Sequence, residues 1–178
     1  MPHSGHLWYH IIINTRGTWL PGDPRGFRNR NARVRSAGDY KHPPPPDEHV
    51  GLHHYQRQRS GTAVRIPSHL FHTVCHALVN KVRSQDHHLL AVSVDAIHAH
   101  LLVELPRDRA AVKRMVGRWK QAASHALRHA LPGRVWADGC DPQVIRDREH
   151  QRRVYRYILD HRKRGAFTWC FRGGDAEG

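Results

Sequence analysis

His98-Ala99-His100 lies inside the apolar run VSVDAIHAHLLVEL and is the first candidate for chemistry. Residues two apart on a strand project from the same face, so both imidazoles can ligate one divalent ion. The chain has 18 histidines among 178 residues, and at that density roughly two His-x-His triplets are expected by chance. The spacing alone is therefore only weak evidence for a metal site.

The last predicted helix carries the second candidate, a tyrosine. At ~100° per residue, Tyr155 falls within the apolar stripe of this helix. Tyr157 falls instead among arginines and histidines and shares its face with His161, one turn later. Tyr155 is thus predicted to be a core residue, whereas the hydroxyl of Tyr157 can meet a phosphate. For an isolated tyrosine, a partly exposed aromatic at the edge of a surface helix is the alternative.

A tyrosine needs help to attack a phosphate. A phenol with a pKa near ~10 is ionised to about one part in a thousand at pH 7. A metal held by His98 and His100, with His161 as a further ligand, would polarise the phosphate for attack by Tyr157. The product would be a covalent 5′-phosphotyrosine and a free 3′-hydroxyl.

The net charge is consistent with a phosphate-bearing partner. The chain has 29 Lys and Arg against 15 Asp and Glu, a formal net charge of +14 with histidine neutral. Arg153 and Arg164 fall on the helix face of Tyr157, and an earlier basic helix exposes Arg114, Arg118 and Lys120. We therefore predict that these five cations contact a nucleic-acid backbone.

The remaining composition points to a soluble intracellular protein. The three cysteines are widely spaced and form no CxxC pair, so neither a disulfide framework nor a zinc knuckle is predicted. No apolar run approaches the ~18 residues of a membrane span. A cytoplasmic location without a membrane partner is expected.

The elements that must position these side chains follow from periodicity and turn signals. Helices are predicted at 69–85, 109–131 and 147–164, and strands at 7–14, 88–94, 97–105 and 135–136. This order favours an α+β fold, with helices packed on a central antiparallel sheet. A single domain over 1–171 is predicted, interrupted after the first strand by a flexible Pro- and Arg-rich insertion at 21–61, with a disordered tail at 172–178.

Taken together, VSVDAIHAHLLVEL, the basic helix after it and YRYILDHRKRGA resemble the catalytic core of the HUH single-tyrosine transposases of the insertion-sequence-200 type, especially the REP-associated tyrosine transposases. The resemblance covers about residues 7–166 apart from the insertion. It implies a ferredoxin-like HUH nuclease core with His98 and His100 as metal ligands, His161 in the third-ligand position and Tyr157 as nucleophile.

The resemblance also implies an activity. Such a protein is a DNA transposase that nicks and rejoins single-stranded or hairpin, REP-like DNA through a 5′-phosphotyrosine, with Mg²⁺ or Mn²⁺ as cofactor. It implies a cytoplasmic, nucleoid-associated protein. Whether the protein forms a homodimer, and whether a second subunit completes the site, stays open.

Two departures from the family pattern motivate an alternative function. Relatives often have Pro-Asn where this chain has Ala96-Ile97, and Asn-Pro where it has His161-Arg162. An imidazole is a softer ligand than an amide oxygen, so Mn²⁺ is favoured. The alternative is a domesticated, catalytically inactive protein that binds DNA hairpins. A replication initiator or relaxase with the same strand motif is a third hypothesis.

Overall fold

The computed structural model of the chain describes residues 2–27, 38, 42–172 and 174–175. It contains two compact units. The first comprises Met1–Thr15 and Arg65–Gly178, and the second comprises Arg16–Val64. In the described ranges, no helix is both long and apolar enough to cross a membrane.

The first unit is a sheet with helices on both faces. Its strands are β1 (His6–Asn14), β2 (Leu89–Val94), β3 (His98–Pro106), β4 (Asp141–Val144), β5 (Phe167–Cys170) and β6 (Gly174–Asp175). Its α-helices are α2 (Phe71–Arg83), α3 (Arg109–Ala126) and α4 (Arg148–Asp160), and helix α1 (Val50–Ser60) belongs to the second unit.

The sheet order is β4-β1-β3-β2-β5-β6, with every neighbouring pair antiparallel. The segment β1-α2-β2-β3-α3-β4 has the β-α-β-β-α-β order of a ferredoxin-like unit. Helix α4 and strands β5 and β6 extend this unit at the β2 edge. The predicted α+β fold with a central antiparallel sheet is therefore confirmed.

Because side chains alternate along the central strands, neighbouring residues lie on opposite faces of the sheet, and both faces are packed. On one face, Leu101 and Val103 of β3 are fully buried, and α2 and α3 pack together over that side. On the other face, Leu102 forms a buried cluster with Val154 and Ile158 of α4. His98 and His100 share the parity of Leu102, so they lie on the α4 face.

Local interactions explain where the last helix begins and where it ends. The carboxylate of Asp147 accepts the backbone N–H of His150 at 2.7 Å, which satisfies a donor of the first turn. After Asp160 the backbone continues as a 3-10 turn over His161–Arg164. This turn ends at Gly165, whose φ is 84°. The predicted helix at 147–164 is thus present as α4 plus this turn.

Several predicted boundaries were wrong. The helix predicted at 69–85 begins at Phe71, after the 3-10 turn Ser68–Leu70, and α3 ends at Ala126 and not at 131. The strand predicted at 135–136 is absent: Trp136 makes only an isolated bridge to Thr15, and the strand that pairs with β1 is β4. Strand β5, for which no strand was predicted, pairs with β2 in a register that places Thr168 beside Ser93.

The second unit contains the segment predicted as a basic insertion. Helix α1 lies within 21–61, where no helix was predicted. Gly22 must be glycine: its φ is 83°, and a Cβ there would lie 2.6 Å from the backbone nitrogen of His53. Residues 28–37 and 39–41 lie outside the described part, so the flexibility of the insertion stays a prediction.

Part of the predicted disordered tail forms structure. Within 172–178, Gly174–Asp175 pair with β5 as β6, so the prediction was wrong for these two residues. Residues 173 and 176–178 lie outside the described part of the chain.

Candidate metal centre and adjacent tyrosine

Three secondary-structure elements bring the predicted site residues together. His98 and His100 project from β3 towards α4, and His161 begins the 3-10 turn that follows α4. Their ligand nitrogens all lie within 4.8 Å of one another. The ring centroids of His98 and His100 are 4.5 Å apart, and those of His100 and His161 are 4.6 Å apart. The three histidines that the sequence predicted as metal ligands therefore form one cluster of imidazoles.

A carboxylate orients His98. Its Nδ1 lies 2.7 Å from Oδ1 of Asp95, which also accepts the backbone N–H groups of Ile97 and His98 at 2.8 and 2.9 Å. Burial opposes ionisation of Asp95, but the hydrogen bonds from His98 and Ile97 outweigh it and hold the carboxyl pKa below its usual value. This close contact places the carboxylate of Asp95 behind the His98 ring, as the outer partner of a ligating histidine.

His100 and His161 are oriented by different partners. The Nδ1 of His100 lies 2.9 Å from Nε2 of His10, a buried histidine of β1. His100 Nε2 is buried and has no hydrogen-bond partner among the described residues. His161 donates from Nδ1 to the carbonyl oxygen of Tyr157 at 2.8 Å. One nitrogen of His100 and one nitrogen of His161 are therefore engaged, and the other nitrogen of each ring is left to ligate.

The protonation states of this cluster suit a cation. Burial, reinforced by the neighbouring imidazoles, lowers the pKa of His100 far below its ordinary value. Burial also lowers the pKa of His161. Both rings are therefore neutral at pH 7, the form that binds metals. A buried His100 nitrogen without a hydrogen-bond partner among the described residues and three converging imidazoles fit a divalent metal ion.

Tyr157 lies at the rim of the cluster. Its ring centroid is 4.6 Å from that of His161 and 5.5 Å from that of His100, and 45% of the residue is exposed. Tyr155, by contrast, packs against the buried α4 cluster and hydrogen-bonds Cys170. The helical spacing predicted this division between the two tyrosines.

The predicted cations of the last helix lie near the site but differ in their contacts. Arg153, one turn before Tyr157, pairs with Glu149 through a 2.6 Å contact between Nη1 and Oε1. Both side chains are largely exposed, so this pair is weak and can open for a phosphate. Arg164 is exposed at the end of the 3-10 turn.

The predicted cations of α3 do not join this cluster, because α3 covers the opposite face of the sheet. Arg114 is exposed and lies 3.7 Å from Asp108, and Arg118 is exposed. Lys120 is half-buried, and its ammonium donates to the carbonyl oxygens of Ala137, at 2.7 Å, and Gly139. In this structure Lys120 ties α3 to the following loop.

Sequence reasoning missed Asp95 and His10. A signal for Asp95 was present, since it lies three residues before His98 at a predicted turn. His10 could be linked to His100 only through strand register, which pairs His10 with Leu102 and Ile12 with His100. A diagonal contact across two strands has no signature in one sequence.

We expect Asp95→Asn to weaken metal binding about 10- to 100-fold, as is typical when the partner of a ligating histidine is lost. The asparagine keeps the size of the side chain but removes its charge. Calorimetric titration of Mn²⁺ into the metal-free protein measures the effect. Asp138→Asn, which removes an exposed carboxylate paired with Arg134, is the matched control, and an equal loss in both variants would contradict this role of Asp95.

The buried His10 predicts a stability that depends on pH. Burial lowers its pKa from 6.5 to about 4. Between these values the unfolded chain holds a proton that the folded chain lacks, so stability is full above pH ~6.5 and falls as the pH drops towards 4. The shift corresponds to about 3 kcal/mol. Urea unfolding of the metal-free protein at pH 7.5 and 4.5 measures this effect. Between these pH values His10→Gln should lose less unfolding free energy than the wild type, and equal losses would refute this prediction.

The comparisons with known proteins give matches among solved structures. No family model matches the chain, and a search of curated proteins finds no match. The chain is similar to a solved structure described as a REP-associated tyrosine transposase bound to a REP hairpin. The alignment has 17% identity and a TM-score of 0.47, and covers 89% of this chain and 68% of that one.

Proposed function

We propose that this protein is a metal-dependent DNA strand transferase that nicks and rejoins single-stranded or hairpin DNA through Tyr157. One observation carries the proposal: a half-exposed tyrosine lies edge-on to a buried three-histidine cluster, one helical turn before its third member. A structural tyrosine could occupy this position, but it would not require three imidazoles with their ligand nitrogens within 4.8 Å of one another.

The ligands in this proposal are His98, His100 and His161. When bound, a divalent ion would supply Lewis acidity at a phosphate oxygen and offset its charge. Three imidazoles favour Mn²⁺ over Mg²⁺, which prefers oxygen donors. Asp95 and His10 hold two of the rings in position.

Tyr157 would act as the nucleophile. Its phenolic oxygen forms a bond to the phosphorus, the bond from phosphorus to the 3′ oxygen breaks, and that oxygen leaves as a 3′-hydroxyl. The proton lost by the phenol balances the proton gained by the leaving oxygen. The phosphotyrosine preserves a phosphodiester bond, so an incoming 3′-hydroxyl can reverse the step without ATP.

DNA is the proposed partner because of charge and placement. The net charge of +14 suits a polyanion. Arg153 and Arg164 are the cations that we place against the phosphates next to Tyr157. Arg114 and Arg118 would contact DNA that extends to the other face of the sheet. A cytoplasmic, nucleoid-associated location belongs to the proposal as well.

Denaturing gel electrophoresis tests the proposal. Labelled single-stranded and hairpin oligonucleotides are incubated with the protein and Mn²⁺, and with EDTA in parallel. We expect a denaturant-resistant protein–DNA adduct that EDTA abolishes. Hairpin binding without any adduct, unaffected by EDTA, would overturn it in favour of a DNA-hairpin-binding protein without catalytic activity.

A further inference from the structure

A second group of metal-ligating side chains lies at the other end of β3. His3 of the segment before β1, His88 just before β2 and Glu104 of β3 bring their ligand atoms within 4.8 Å of one another. Glu104 is four residues beyond His100, which is about 13 Å along a strand. This group is therefore separate from the three-histidine cluster.

Glu104 is an unusual residue for the middle of a sheet. Only 3% of it is exposed, and it is flanked by β1 and β2. A buried carboxylate is costly unless charge or hydrogen bonds compensate it. Burial alone would raise the pKa of Glu104, but contacts with His3 and His88 hold it below its ordinary value. The carboxylate is thus available as an anionic ligand.

Each carboxylate oxygen faces one imidazole. Oε1 lies 3.0 Å from Nδ1 of His3, and Oε2 lies 3.3 Å from Nδ1 of His88. The backbone N–H of His3 also donates to Oε1. The two imidazole rings meet edge-on, with centroids 4.7 Å apart. All three side chains therefore converge on one point beside the carboxylate.

The separations match a tetrahedral metal site. With bonds of about 2.0–2.1 Å, two ligands of a tetrahedral zinc ion are about 3.3–3.4 Å apart. The distances of 3.0 and 3.3 Å between imidazole nitrogen and carboxylate oxygen require only small adjustments to reach this value. Because both histidines are exposed, the fourth position would open to solvent.

We propose that His3, His88 and Glu104 form a second metal site, which takes Zn²⁺ or a similar late first-row divalent ion. Two imidazoles and one carboxylate are a typical zinc donor set. The ion neutralises the buried carboxylate and ties residues 2–5 to the ends of β2 and β3. This site does not depend on the proposed strand transfer.

Metal stoichiometry tests the proposal. Untagged full-length protein is stripped with EDTA, dialysed and titrated with Co²⁺, whose visible absorption reports tetrahedral ligands, and with Zn²⁺ in competition. We expect two equivalents for the wild type. His3→Gln and His88→Gln should each lower the affinity of one equivalent more than 10-fold and leave the other unchanged. Both side chains are exposed, so neither substitution should prevent folding.

Two controls separate this site from other histidines. His6→Gln changes a neighbouring histidine whose Nδ1 contacts Ser4, and it should retain both equivalents. His98→Ala should remove the other equivalent, so failure of one site is distinguishable from failure of the other. Metal binding that is unaltered in both His3→Gln and His88→Gln, whether the wild type binds one equivalent or two, would overturn the proposal.

Discussion

Tyr157→Phe is expected to abolish the covalent protein–DNA adduct, with a rate loss of more than ~10³-fold. The substitution removes only the phenolic oxygen, which is the proposed attacking atom. The ring contacts with His100 and His161 are retained, so the metal site and the affinity for DNA should stay within a few-fold of the wild type. Adduct yield on denaturing gels and DNA binding by fluorescence anisotropy measure the two properties separately.

Tyr155→Phe is the matched control, since it removes a hydroxyl from the same helix two residues earlier. That hydroxyl hydrogen-bonds Cys170, and its loss should cost about 1 kcal/mol of stability. The adduct should form at close to the wild-type rate. An adduct that persists in Tyr157→Phe and disappears in Tyr155→Phe would contradict our choice of nucleophile.

His100→Ala is expected to lower the Mn²⁺ affinity of the three-histidine cluster by more than about 100-fold, and adduct formation with it. Loss of an outer partner already costs 10- to 100-fold in comparable sites, and His100 is a proposed direct ligand. The substitution also leaves His10 without its imidazole partner at 2.9 Å. We therefore expect a loss of stability of about 1–3 kcal/mol in addition.

A second substitution separates metal loss from instability. His98 is less buried than His100, and its removal leaves the His10 contact intact. His98→Ala should therefore reproduce the loss of Mn²⁺ affinity with a smaller change in the urea midpoint. Calorimetric titration and urea unfolding of both variants provide the data. If both variants fold and bind Mn²⁺ with wild-type affinity, the proposed metal centre at the three histidines is wrong.

The sequence predicts much of this site because its elements are strongly periodic. The parity of a strand places His98 and His100 on one face, and helical spacing places Tyr157 and His161 on one side of α4. The resemblance to a known family connects the strand with the helix. None of these patterns shows how the rings are held, because the contact between His10 and His100 depends on strand register.

The elements that the sequence did not predict have weak signals. Strand β4 has the sequence DPQV, which contains one β-branched residue and a proline and is stabilised by pairing with β1 at the sheet edge. Helix α1 buries none of its residues completely, so it shows no apolar stripe. Single-sequence periodicity detects burial, and these two elements offer little of it.

The strand polarity of the adduct and its site of attachment test nucleophilic attack by Tyr157. One oligonucleotide is labelled at its 5′ end or its 3′ end, and the adduct is digested and mapped by peptide mass spectrometry. We expect the protein to retain the 3′-labelled fragment through a 5′-phosphate on Tyr157, and to release the 5′-labelled fragment with a free 3′-hydroxyl. Retention of the 5′-labelled fragment, or attachment at any residue other than Tyr157, would contradict the account.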